Sequence, residues 1–548
     1  IIEGIRAKKI ESVAICFLHS FVNPAHEELV GRIVKESLPD CFVSLSTNIL
    51  PQKREYERTS TTVINAYVGP PVRDYLGEMI QQLTTKGITE RLMVMQSSGG
   101  ILDAKSCLEK PAHIVECGPA AGVVGAEYIA RAAGFKNVLT LDMGGTTAKA
   151  SIIEGGSFSL ADEYEVGGGM SSSSALVGKG GYALKLPVID IAEVGAGGGS
   201  LAWLDGAGSL KIGPESAGAN PGPACYSQGN ENPTVTDANL VLGYLNPEAL
   251  AAGTVPINKK LAEQAIQKYI AKPMKLDLME TAFGIHSVAN AAMMRAVRAV
   301  TTYRGRDPRD FTLFAFGGAG GLHAVDLARV LRVKEVVVPV AAGVFSAVGL
   351  LYSNLEVNET APLLTLIESV PLDIAERAYG NLENKITKII GGDKSEIEFT
   401  RFADVRFRGQ AYEITVSFEN NNELTSEEFD KLADRFEKQH LDRYGHAFSG
   451  EFPVELVNLR LVGTKKRKTS AIKQNTEKLE KVENSREVYF GPNIGSTNAR
   501  VITRSYLNEV AEEGPIIIEE YEGTVVVPPD CTVRVDKQGN VIIKLPEI

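Results

Sequence analysis

Val138-Leu139-Thr140-Leu141-Asp142-Met143-Gly144-Gly145-Thr146-Thr147 decides how this chain is read. The apolar and β-branched start predicts a buried strand, an acid stands near its end, and two glycines close the turn. Without a Cβ, such a turn lets backbone N–H groups approach an anion closely, and the strand-end carboxylate can hold Mg²⁺ directly or through water. From the residues alone the turn has two readings. It is a phosphate site, with Gly144, Gly145, Thr146 and Thr147 around the anion and Lys149 adding charge, or it is a structural tight turn.

A second turn of this kind lies far downstream. Phe311-Thr312-Leu313-Phe314-Ala315-Phe316 leads into Gly317-Gly318-Ala319-Gly320-Gly321, ahead of a helix expected over 323–332. A helix N-terminus suits a nucleotide's phosphates or sugar. Between the two turns, Gly195-Ala196-Gly197-Gly198-Gly199-Ser200 is either another anion-binding backbone or a flexible hinge. Neither run completes GxGxxG, because Ser200 and His323 occupy the final glycine positions, so a dinucleotide fingerprint is disfavoured. Gly178-Lys179-Gly180 lacks the earlier glycine and the following Ser/Thr of a Walker A loop. The two turns together point to a phosphate-bearing ligand gripped from two sides, and so to a nucleotide enzyme rather than a scaffold.

At 548 residues the chain exceeds one core and predicts two to four domains. A formal charge of −11 argues against nucleic acid as a partner, which requires basic surface to displace counterions. Cys16, Cys41, Cys107, Cys117, Cys225 and Cys531 form no CxxC pair and predict reduced thiols in a cytoplasmic protein. No apolar run reaches membrane-spanning length, so no membrane partner is expected. The chain opens on Ile1 and soon enters the strand-like run Ile10-Glu11-Ser12-Val13-Ala14-Ile15-Cys16-Phe17-Leu18, which raises the expectation of a missing N-terminal portion.

Residues 1–135 alternate helix and strand signals: a helix start at Asn23-Pro24, strands at 43–46 and 91–96, and a small-residue helix from Gly118. That alternation predicts α/β structure with mainly parallel pairing. A long Gly/Ser loop is expected over 155–181, including Gly167-Gly168-Gly169 and Ser171 to Ser174. A strand follows over 186–191 and helices over 257–303. Beyond 360 come antiparallel strands (395–418), a helix (425–443), a strand (453–463), a charged linker (464–486) and short terminal strands. The expected domains are 1–135, the remainder of a first α/β lobe; 136–360, a second α/β lobe; 361–470, α+β; and 471–548, a small all-β module.

Among other polar clusters, Arg54-Glu55-Tyr56-Glu57-Arg58-Thr59-Ser60-Thr61-Thr62 is either a solvated helix start or a site-facing loop whose arginines hold a carboxylate or phosphate. His323 either faces a cleft or serves as a cap or core residue. His440 and His446 lack the spacing of a helical metal pair and are read as structural. No Ser-His-Asp set or clustered Cys/His metal site is legible.

Taken in order, these segments resemble the hydantoinase A/5-oxoprolinase family. The matching phrases are REYERTSTT at 54–62, QSSGG at 96–100, GPAAGVVG at 118–125, DMGGT at 142–146, VGAGGGS at 194–200 and GPESAGANPGPACY at 213–226. TVTDAN at 234–239, FGGAGGLHA at 316–324, RGQAY at 408–412 and the stretch 514–529 continue the series. The resemblance implies actin- and sugar-kinase-like ATPase lobes with ATP between them, residues 142–147 as the phosphate loop and Gly317, Gly318, Ala319 and Gly320 on the adenosine side. It implies ATP and Mg²⁺ as cofactors, with Asp142 on the metal and Gly144, Gly145, Thr146 and Thr147 near the phosphates; Gly197, Gly198 and Gly199 join them on the anion-binding reading of their run. A cyclic amide substrate, a hydantoinase B-type partner subunit and an oligomer also follow from it.

Two departures stand out. The family's phosphate turn continues Ser-Thr-Asp, whereas here it reads Thr147-Ala148-Lys149, so a cation replaces an acid and one possible metal ligand is lost. The family also carries an earlier Asp-x-Gly-Gly-Thr turn, and none precedes these residues. Three functions remain open at this stage. They are ATP-dependent hydrolytic opening of a cyclic amide through carbonyl phosphorylation, with Asp142 and Lys149 as catalytic residues; ATP-dependent carboxylation of a ketone with bicarbonate; and a non-catalytic nucleotide-binding or assembly subunit.

Overall fold

In a computed structural model of the chain, the strand Val138–Met143 lies inside a nine-stranded sheet. The structure describes residues 1–161, 164–167, 181–251, 253–419, 424–448, 450–467 and 484–547. Most of the expected Gly/Ser loop, including Gly168, Gly169, Ser171 to Ser174 and Gly178-Lys179-Gly180, lies outside the described residues, as does 468–483 of the expected linker.

The chain divides into two compact units. One comprises Ile1–Cys117, Ala183–Pro187 and Ser353–Lys468; the other Gly118–Tyr182, Val188–Tyr352 and Thr469–Ile548. In the first unit a six-stranded sheet runs in the order Ile414–Ser417, Glu398–Phe407, Val454–Lys465, Leu355–Leu366, Ile101–Asp103, Met93–Met95. The stretches expected as separate domains at 1–135 and 361–470 thus share strands of one sheet. Ala375, Tyr379, Leu382, Ile386 and Ile390 recur at helical spacing on Leu372–Ile390 and bury one stripe among the sheet's Val405, Val416, Leu459 and Leu461. Gly391, at φ +75°, stops that helix, its N–H donating to Thr387 O at 2.8 Å.

In the second unit the order is Ile191–Val194, Ala148–Glu154, Val138–Met143, Thr312–Phe316, Glu335–Val338, Val541–Lys544, Thr532–Val535, Glu512–Glu513, with Ser157–Phe158 paired outside this path. Only the central three, Val138–Met143, Thr312–Phe316 and Glu335–Val338, run parallel to one another. The strands outside them pair antiparallel. The expectation of mainly parallel pairing, drawn for residues 1–135, is met there by Ser12–Ile15 with Phe42–Leu45, whereas Met93–Met95 and Ile101–Asp103 form an antiparallel hairpin. The short strands after 484 fall into two groups. Some complete the nine-stranded sheet, and Asn484–Tyr489, Ser496–Ile502, Ile516–Glu519 and Thr524–Val527 form a separate four-stranded sheet.

Helix Leu278–Val300 packs on Ala148–Glu154 and Ile191–Val194, and helix Gly320–Leu331 packs on Thr312–Phe316. The first is capped by Asp277, whose carboxylate accepts from Met279 N–H at 2.7 Å, and its Ala/Met-rich face is fully buried. The second of these helices starts at the glycine turn that follows Thr312–Phe316. Among the described residues no helix is long and apolar enough to cross a membrane.

Candidate functional site

Antiparallel register sets Asp142 opposite Lys149, and Lys149 opposite Glu193. Three charged residues therefore form one row across three strands. Lys149 Nζ lies 3.4 Å from Glu193 Oε1 and donates to Thr147 Oγ1 at 2.8 Å. Burial pushes the half-buried Asp142 carboxyl above the usual carboxylate range; Lys149 opposes that shift and Glu193 adds to it.

At the turn, Gly144 N–H donates to Thr147 O at 3.1 Å. The N–H groups of Gly145 and Thr146, both exposed, donate to no group among the described residues. The 195–200 loop is laid directly on this turn: Gly198 N–H donates to Gly144 O at 3.0 Å and Gly199 N–H to Gly145 O at 2.6 Å. A Cβ on Gly197 would stand 2.6 Å from the carbonyl carbons of Gly145 and Thr146 and from Thr146 N, so only glycine permits this approach. Behind the loop, Thr236 N–H and Oγ1 both donate to Gly198 O, at 2.7 and 2.9 Å.

The third segment closes on the same carboxylate. Gly317 has φ +79°, and a Cβ there would lie 2.4 Å from Met143 O and 2.6 Å from Asp142 Oδ1. Ala319 N–H donates to Met143 O at 3.0 Å, and Gly317 N–H to Ala342 O at 2.8 Å. Gly320 begins the helix Gly320–Leu331 and is buried, while the position of Gly318 is roomy, with Glu522 O 3.6 Å from its Cβ position. The structure thus gathers Asp142, Gly144, Gly145, Thr146, Thr147, Lys149, Gly197, Gly198, Gly199, Gly317, Gly318, Ala319 and Gly320 around one strand end.

This donor set fits a phosphate-bearing cofactor: uncommitted, exposed backbone N–H groups, a wall that any Cβ would fill, and one carboxylate beside them. Among the described residues no group of three or more His, Cys, Asp or Glu side chains is arranged to hold a metal ion. A Mg²⁺ at this turn would therefore rely on Asp142 together with phosphate oxygens and water.

Other residues singled out from sequence lie apart from the turn. Arg58 is fully buried on helix Glu55–Thr85, against Glu27, Glu55, Ser20 and Ser46, and Arg54 pairs with Glu413 at 2.6 Å. His323 does not face a cleft; it is fully buried and bonded to Asn239 and Asn290. His440 is a core residue whose Nδ1 lies 2.7 Å from His446 O.

Glu193, Thr236, Asn239 and His286 escaped the sequence reading. Each stands across a strand pair or a helix packing from the motifs, and only Thr236 and Asn239 lie inside a phrase that was noticed. In that phrase, Thr234 and Asp237 form a capping box, and Asp237 also accepts from Ala224 and Cys225 N–H at 3.1 and 2.8 Å.

The fold and this strand end define a mixed α/β protein whose glycine segments expose backbone N–H groups beside a carboxylate. The hydantoinase/oxoprolinase family model matches residues 58–359, its N-terminal region model residues 1–38 and its C-terminal domain model residues 372–547. The chain belongs to the hydantoinase/oxoprolinase family. It is 42% identical over 542 residues to an uncharacterized protein of Methanocaldococcus jannaschii, covering 98% of this chain and 78% of that protein. Caprolactamase subunit alpha of Pseudomonas jessenii is 33% identical over 562 residues, covering 98% and 76%. The crystal structure of that organism's ATP-dependent caprolactamase matches with a TM-score of 0.79 at 31% identity, covering 99% of this chain and 78% of that one. A nucleotide-free acetone carboxylase structure, from work on ATP-dependent acetone carboxylation, matches with a TM-score of 0.79 at 25% identity, covering 100% and 78%.

Proposed function

We propose that this chain uses ATP and Mg²⁺ to open a cyclic amide by hydrolysis, as one subunit of a cytoplasmic enzyme with a hydantoinase B-type partner. The observation that carries this reading is the meeting of three glycine segments around Asp142 in a chain of this family. Likeness to an ATP-dependent caprolactamase and its alpha subunit supports the cyclic amide and the partner.

ATP, when bound, supplies a phosphoryl group that turns the amide carbonyl oxygen into a good leaving group. The protein's share is positioning and charge neutralisation. Gly145 and Thr146 N–H groups hold phosphate oxygens, Gly144 and the Gly197, Gly198 and Gly199 wall keep them at backbone distance, and the Thr147 hydroxyl and Lys149 border them. Gly317, Gly318, Ala319 and Gly320 border the adenosine side. Lys149 offsets one of the two carboxylates in its row, leaving a net negative site for a divalent cation at Asp142.

Asp142→Asn tests the assignment. Phosphate release from ATP in the presence of a cyclic amide should be lost while the protein stays folded. The native carboxyl is raised by burial, so its ionisation works against folding as pH climbs from the unfolded value of 3.8 through the raised native one. The asparagine variant escapes that cost, and its thermal midpoint at neutral pH should equal or exceed the parent's. Full turnover in Asp142→Asn would refute the site.

The acetone carboxylase likeness and the Lys149 turn favour a second reading, ATP-dependent carboxylation of a ketone. Phosphate release seen only with ketone plus bicarbonate, and never with cyclic amides, would replace the first reading with this one.

A further inference from the structure

Behind the glycine segments runs an unbroken line of polar side chains, buried except for the partly exposed Asp326 at one end. Asp326 Oδ2 lies 3.0 Å from His286 Nε2, and His286 Nδ1 lies 2.7 Å from Asn239 Oδ1. Asn239 Nδ2 lies 3.1 Å from His323 Nε2, and His323 Nδ1 lies 2.7 Å from Asn290 Oδ1. The two imidazoles stack with centroids 4.2 Å apart and planes 9° apart, and both are fully buried, as is Asn239. Buried polar groups are tolerated only when paired, so the members of this line constrain one another.

Two of its inner members reach different walls of the site. Asn239 stands on helix Val235–Val241, where Thr236 holds Gly198 O, and Gly198 in turn donates to Gly144 O. His323 stands on helix Gly320–Leu331, which begins at the third glycine turn. Asn239 is the side chain that joins the two helices through both histidines.

We propose that Asn239 is a positioning residue that couples the 144–145 and 317–320 sides of the nucleotide site, and that one proton on His286 sets the hydrogen-bond polarity of the whole line. The functional arm of this inference rests on the nucleotide reading above; the hydrogen-bond arm does not.

Polarity follows from counting donors. Asp326 accepts, so His286 Nε2 carries hydrogen. With His286 neutral, Nδ1 accepts, Asn239 turns its NH₂ to it and its oxygen to His323, and His323 takes the Nε2–H form with Asn290 donating. With one more proton, His286 donates from both nitrogens, both asparagines turn over, and His323 takes the Nδ1–H form. Burial beside His286 holds His323 well below its usual range, so it is neutral in both states. Burial pushes Asp326 up, but the His286 bond and Arg329 outweigh it and keep the carboxyl below its usual range. The groups around His286 are Asp326, Asn239, His323, the Tyr244 ring with its centroid 5.3 Å away and the apolar Phe283 ring. Arg329 lies 3.4 Å from Asp326 and also pairs with Asp530.

The test uses the full chain labelled with ¹⁵N-histidine, with His323 assigned by His323→Gln. Over a descending pH series His323 should exchange its Nε2–H form for the Nδ1–H form. In Asn239→Asp, where a carboxylate accepts from both neighbours, that exchange should vanish. A His323 tautomer unchanged across the whole pH series overturns the polarity switch. ATP affinity should fall about tenfold in Asn239→Leu, the size of an ordinary coupling between sites, with unchanged circular dichroism. Parent-like affinity in folded Asn239→Leu overturns the coupling. Should that variant not fold, Asn239→Asp decides: its ATP affinity should also fall, and parent-like affinity overturns the coupling. A parent that binds no ATP sinks the nucleotide reading and the coupling with it, while the tautomer result still decides the polarity switch.

Discussion

Arg58 shows how far one side chain can depart from its sequence appearance. It sits one turn into helix Glu55–Thr85 in a stretch dense with charge, yet it is wholly buried. Its Nη2 donates to Phe17 O at 2.9 Å and its Nη1 to Ser46 Oγ at 3.0 Å, with Glu27 Oε1 4.0 Å away. Burial pushes Glu27 up, but hydrogen bonds from Phe17, Ser20, Ser46 and Thr47 outweigh it and hold the carboxyl below its usual range. Arg58→Met should therefore cost about 3–5 kcal/mol, as for other buried ion pairs stripped of one partner. Because Glu27 is depressed, its contribution is present above the unfolded value of 4.5 and fades as pH falls through the native one. Urea unfolding of variant and parent at neutral pH measures the Arg58→Met loss; a loss below about 1 kcal/mol would contradict the buried-pair account.

Close helix packing is the matter at the scale of elements. Helix Phe345–Tyr352 crosses helix Cys117–Ala133 with Gly349 at the contact, where a Cβ would lie 1.8 Å from Ala121 O and 3.1 Å from Gly125 N. Tyr128 and Tyr352 stack beside it, centroids 3.7 Å apart. Neither backbone atom can yield without separating the helices, so Gly349→Ala should cost at least about 1–3 kcal/mol of overpacking. Gly77, in the exposed part of helix Glu55–Thr85 with nothing within 4 Å of its Cβ position, gives the contrast. Gly77→Ala should stabilise by about 0.4–1 kcal/mol. Equal thermal shifts in the two variants would mean that the crossing has room. The phrase GPAAGVVG was legible as a small-residue helix; what its small residues are for depended on a partner more than two hundred positions away.

For the molecule as a whole, the C-terminal residues carry more of the second unit than a separate module would. Val541–Lys544 is inserted between Glu335–Val338 and Thr532–Val535, and Val336, Val337 and Val338 are fully buried. Removing 530–547 would bare a hydrophobic strand edge, a template for association. The truncated chain is expected to aggregate on expression; recovery as a soluble, cooperatively unfolding protein would show that the second unit closes without these strands.

The chain's own order of residues determined the strand-and-turn units, because a strand ending in an acid and glycines is a local pattern, set by side-chain period and by the lack of a Cβ. It likewise determined the helices at Leu278–Val300 and Ser426–Tyr444 through the caps Asp277 and Thr425 and apolar spacing, and Gly320–Leu331 through apolar spacing. Tertiary structure alone decided that the 195–200 loop lies on the 142–147 turn, that Glu193 faces Lys149, and that Asn239 bridges two histidines. It also decided which strands of the C-terminal stretch join the large sheet. Those outcomes depend on pairing between residues far apart in the chain, where register and burial, rather than any neighbouring residue, choose the partner.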